Sequence, residues 1–138
     1  MQKTLYEHLR DLSSWNSSEV QKEAIEAINA VVSRDAGILM DVIYMSEDKY
    51  EWANRARIVC IQNDKALERY VPRMLEWLKD INWPGAELMY ERLEKMQGRY
   101  VDRDIENAIR WAKEDRHDRW LRALYGLKKD RTDRRESR

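Results

Sequence analysis

Residues 75–86 read LEWLKDINWPGA. Leu75 and Leu78 continue an apolar stripe begun by Val71 and Met74, at the spacing of one helix face. The stripe then stops at three residues that suit a helix start. Asn82 is a good N-cap, because its side-chain oxygen accepts from the first free amides. Pro84 fits the first turn, where its missing amide costs nothing. Trp83, between them, is placed to pin the corner with its large ring. The stretch is therefore expected to be a corner between two helices, with Asn82, Trp83 and Pro84 as its structural turn.

Outward from this corner the same plan recurs. Upstream, Leu5, Leu9 and Leu12 share a face behind a capping box of Thr4 and Glu7. Ser18, with Gln21 as box partner, is expected to open a helix through Val20, Ala24, Ile28 and Val31. Asp35 then caps a helix with Ile38, Leu39, Val42 and Ile43 inward. Asp48 and Glu51 precede one carrying Trp52, Ala56, Val59 and Cys60. Asn63 and Asp64 start a segment that Pro72 must kink or split. Downstream of the corner, Ala86, Met89, Leu93 and Met96 form a stripe that Gly98 stops. Asp102 or Asp104 is expected to cap the next helix, and Trp120, Leu121, Leu124 and Leu127 mark the last. These two helices are expected to break near Asp115–Asp118, with one long helix over residues 102–127 as the alternative.

Breaks within helix pairs thus fall near Asn16, Lys49, Asn82 and Arg116, at spacings of 33, 33 and 34. A period of this size marks stacked helical hairpins, each too thin to bury its own apolar face. The expected fold is all-α: about eight helices as four stacked antiparallel pairs, a HEAT-like α-solenoid. A compact helical bundle is the alternative. The chain is expected to hold one helical-repeat domain over residues 1–128 and a charged, disordered tail over 129–138.

Composition agrees. Four glycines and two prolines in 138 residues are too few for the tight turns of an all-β fold. Charged residues make up 38%, with 26 of each sign, as long solvated helix faces need. The charge is uneven: residues 1–98 carry 13 basic and 17 acidic side chains, and residues 99–138 carry 13 and 9. Cys60 stands alone, so no intramolecular disulfide forms, and its apolar neighbours make it a small core residue. With no leader-like or membrane-spanning apolar run, the expected location is the cytoplasm.

The Trp-Leu-x-Asp-x-Asn-Trp-Pro turn over residues 77–84, with AIRWAKEDRHDRWLRAL over 108–124, resembles a bacterial family known only as a domain of unknown function. The resemblance covers roughly residues 65–127. It implies HEAT-type helical repeats and carries no activity.

Glu114 and His117 share a helix face, but a di-metal bundle needs two such motifs plus further carboxylates, and His8 supplies none. No glycine-rich phosphate loop is present. No catalytic, metal or cofactor residues are assigned, and the chain is not expected to be an enzyme. The expected role is a protein-binding scaffold, an adaptor or a toxin-blocking immunity protein, with Tyr50, Trp83, Arg116 and Trp120 as contact residues. The alternative partner is a nucleic acid. Arg103, Arg110, Lys113, Arg116, Arg119 and Arg122 would form its basic stripe, with Trp111 and Trp120 interleaved. No membrane partner is expected.

Overall fold

A computed structural model describes residues 2–137. Among them all regular structure is helical, and no strand occurs. The helices are α1 (Leu5–Arg10), α2 (Ser18–Arg34), α3 (Leu39–Val42), α4 (Trp52–Cys60), α5 (Asp64–Leu67), α6 (Val71–Glu76), α7 (Ala86–Lys95), α8 (Arg99–Glu114) and α9 (Asp118–Glu136). Pro72 sits in the first turn of α6, after a 3-10 turn at Glu68–Tyr70 that splits α5 from α6. The four expected breaks all fall between helices: α1 and α2, α3 and α4, α6 and α7, α8 and α9. Residues 102–127 are two helices.

The chain divides into two compact units, Met1–Gln62 and Asn63–Arg138. In unit 1, α1 packs on α2 and α2 on α4. Gln21 meets Asn54 at one end of that pair and Asn29 meets Gln62 at the other. Both contacts join residues 33 apart, so α2 and α4 run side by side in the same direction. The core of unit 1 holds Leu12, Ile28, Leu39, Ile58 and Val59. On α2 the buried stripe is Ala24, Ile28 and Val32, with Val31 only half-buried.

In unit 2, α6 packs on α7 and α8, and α9 on α7 and α8. Tyr90 meets Asp130 and Glu94 meets Arg134, both 40 apart, so α7 and α9 also run in the same direction. Leu75, Trp77, Leu78, Met89, Leu93 and Ile105 form the core.

Several caps are as expected. The Thr4–Glu7 box is complete, and Asp35, Asp48 and Asn63 each accept a hydrogen bond from a free amide two or three residues on. Others need correction. Ser17 caps α2, and Gln21 donates to the Asn16 carbonyl instead of closing a box. The Glu51 carboxylate pairs with Arg55 and accepts from the Ser46 hydroxyl. Gly98, at φ 117, precedes α8 directly, so Asp102 lies inside the helix and is free to take an arginine.

Beyond Leu127 the chain is helical rather than disordered: α9 runs to Glu136. Its charges are not solvated at random. Arg131 is buried, donating to the carbonyls of Leu93 (2.6 Å) and Met96 (2.7 Å) and to Asp102 (2.9 Å). Arg134 reaches Glu94, and Arg135 reaches Asp102 at 2.7 Å. These contacts satisfy carbonyls orphaned at the end of α7, which stabilises both helices.

Candidate functional site

The site is best built from the corners, where helix ends leave side chains unpacked. In unit 1 the two corners touch. The Ser14 amide donates to the Tyr50 carbonyl at 2.9 Å, tying the loop after α1 to the turn before α4. This bond sets Trp15 against Tyr50, with ring centroids 5.2 Å apart and planes crossed at 70°. Both rings face solvent: Trp15 is 77% exposed and Tyr50 53%. An edge-to-face pair is a favourable aromatic geometry, so the rings hold each other in place while staying open.

Tyr50, one of the expected contact residues, is exposed at this corner. Trp15 was missed, because the sequence reading followed apolar stripes and Trp15 lies outside any. The available signal was a tryptophan set in a polar run, Ser13-Ser14-Trp15-Asn16-Ser17-Ser18. Beneath this corner, Trp52 is buried, and its indole donates to the Ser46 carbonyl at 2.8 Å.

The corners of unit 2 are built differently. Asp80, not Asn82, organises the first: its carboxylate accepts from the Asn82 amide at 2.9 Å, and its carbonyl from the Trp83 amide. Asn82 is exposed and caps no helix. Gly85, at φ 89, is the N-cap residue of α7, and Pro84 precedes it. Pro-Gly supplies the left-handed step there, which displaces the helix start beyond the reach of Asn82. Trp83 is half-buried. Trp120 is only 3% exposed, its indole donating to the Leu75 carbonyl at 2.9 Å under the Lys79 ammonium. It is a core residue and is corrected as a contact candidate.

Arg116 is exposed and adopts φ 53. Its amide donates to Lys113 and that of His117 to Ala112, the pair of bonds that closes a helix in a Schellman motif. His117 then starts α9, its Nδ1 accepting from the Trp120 amide at 3.2 Å. Among the described residues no three His, Cys, Asp or Glu side chains gather as a metal site would need. Cys60 is part-exposed rather than buried.

The basic stripe is exposed, and among the described residues one member of it, Arg119, has an ion pair. Arg119 lies 3.4 Å from Asp80, Arg110 bonds Asn107, and Lys113 lies over the Tyr125 ring. Trp111 faces solvent while Trp120 is inside. Further along, Lys128 pairs with Glu106 and Lys129 with Asp133. Burial pushes the Asp102 carboxyl up, but the bonds and charges of Arg131 and Arg135 outweigh it and hold the group below its ordinary value. In Asp64 the Gln97 amide and Arg92 likewise overcome burial. Tyr90 is pushed upward by burial and by Asp130. No described helix is long and apolar enough to cross a membrane.

A family model described as Domain of unknown function (DUF5071) matches residues 44–131, more than half of the chain. No curated protein and no solved structure matches.

Proposed function

We propose that this chain, which belongs to the DUF5071 family of domains of unknown function, is a non-enzymatic protein-binding scaffold of HEAT-like helix pairs. The Trp15–Tyr50 corner carries the reading. A stable fold gains nothing from leaving a tryptophan 77% exposed, whereas protein interfaces concentrate their energy in such aromatic anchors. Two features support the repeat architecture. The corners recur every 33 or 34 residues, and within each unit the second helices of successive pairs run in the same direction. The pairing of Lys128, Lys129, Arg131, Arg134 and Arg135 with carboxylates speaks against phosphate binding by the C-terminal half of α9, since such binding needs uncancelled charge. The resemblance to a bacterial family and the lone cysteine fit a cytoplasmic adaptor or immunity protein.

The test is affinity capture from the source cell with three baits: wild type, Trp15→Ala/Tyr50→Ala and Trp111→Ala. A protein held by the first and third should fall by about tenfold or more with the second. Equal capture by all three would remove this corner from the function. Capture abolished by nuclease would turn the reading to nucleic acid.

A further inference from the structure

The chemistry around the unit 1 corner says what kind of group should seat there. Three basic side chains near the corner in the chain are engaged elsewhere, while Lys22, in the second turn of α2, is exposed and forms no ion pair among the described residues. Arg10 lies over the Tyr6 ring, Lys3 pairs with Asp11 at 2.7 Å, and Lys49, next to Tyr50 in the chain, is turned to the Trp52 ring. No cation of the described chain covers Trp15 or Tyr50, the pair with the most open ring. Two carboxylates are in the opposite state, although Asp11 and Glu51 are paired. Glu47, three residues before Tyr50, and Glu19, in the first turn of α2 four residues after Trp15, are exposed and form no ion pair among the described residues. Residues 1–62 hold seven basic and ten acidic side chains, a net charge of −3.

An open indole face in acidic surroundings attracts a cation by its quadrupole, and a planar guanidinium stacks better than an ammonium. We infer that the partner element seated on this corner presents an arginine, stacked on Trp15 and flanked by Glu19 and Glu47. This rests on the protein-binding reading of the corner and adds the chemistry of the partner.

The probes are short acetylated Gly/Ser peptides carrying either two arginines, two glutamates or two prolines. They are titrated into the full chain while its tryptophan indole N–H signals are followed by NMR, with Trp15→Ala identifying the Trp15 signal. The arginine peptide should move the Trp15 signal and leave Trp111 in place, and the glutamate peptide should move neither. Glu19→Lys/Glu47→Lys should weaken the arginine peptide by about fivefold or more, as reversing two exposed charges beside the bound guanidinium would. Equal shifts from arginine and glutamate peptides, a Trp111 shift as large as that of Trp15, or a response to the proline peptide alone would overturn the inference. If capture depends on Trp15 and Tyr50 while the arginine peptide is silent, the scaffold reading stands and only this inference falls.

Discussion

The two units solve one problem, how to close a helix corner with aromatic residues, in opposite ways. Unit 2 turns its tryptophans inward: Trp120 is buried and hydrogen-bonded, and Trp83 is half-buried behind an aspartate-organised turn. Unit 1 buries Trp52 in the same manner but adds Trp15 and Tyr50 outside it. The inner tryptophan meets the structural need in both units. The outer pair is therefore surplus to folding, which supports the binding role proposed for it.

The largest effect should separate these roles. Trp120→Ala empties a core site and removes the indole bond to the Leu75 carbonyl, so it should cost about 3–5 kcal/mol in urea unfolding. Trp15→Ala should stay within about 0.5 kcal/mol. A large loss from Trp15→Ala would erase the distinction.

A second contrast concerns buried arginines. Arg55 donates to the carbonyls of Asp41, Val42 and Tyr44 at the end of α3 and pairs with the buried Glu51. Arg131 does the same for α7, but its partner Asp102 is more exposed and also holds Arg135. Arg55→Met strands a buried carboxylate and should cost about 3–5 kcal/mol. Arg131→Met leaves Asp102 paired and should cost about 2 kcal/mol. Equal losses would show that the second arginine on Asp102 contributes nothing.

Acid should loosen unit 2 through Asp102 and Asp64. Their folded-state values lie below the ordinary 3.8, so their stabilisation is complete above that value and is lost as pH falls through the folded one. Asp104, raised by burial, works the other way. Hydrogen exchange in the peptides around 93–102 and 128–136 should rise as pH falls below about 4, once corrected for the intrinsic rate, and less so in Asp102→Asn. An unchanged profile in Asp102→Asn would place the sensitivity elsewhere.

The smallest effect belongs to the corner at Arg116. A left-handed backbone costs a non-glycine residue about 1–2 kcal/mol, partly offset by the greater freedom of an unfolded glycine. Arg116→Gly should therefore stabilise by about 0.5–1 kcal/mol. Destabilisation would mean that the Arg116 side chain matters to the fold.

Much of the fold was legible because its signals are local. Proline splits a helix, Thr4 and Glu7 cap one another, and the four corners follow from where apolar stripes end. What escaped depends on distant partners. The charges after Lys128 look like a disordered tail until Asp102, Glu94 and Glu106 are seen opposite them. Asp102 looks like a cap until Arg131 arrives from 29 residues away. Asn82 loses its role to Gly85 through one left-handed step. Trp120 and Tyr50 both stand at corners in the sequence, and only packing shows that one is inside and the other outside.

Exchange of the indole N–H groups tests that division directly. The Trp120 indole is bound to the Leu75 carbonyl and the Trp52 indole to that of Ser46, while 77% of Trp15 is open to water. In deuterated buffer the Trp15 signal should vanish at the rate of a free indole, with those of Trp52 and Trp120 persisting. A Trp15 indole as protected as Trp120 in the isolated chain would mean that the outer corner is part of the core, contradicting the account.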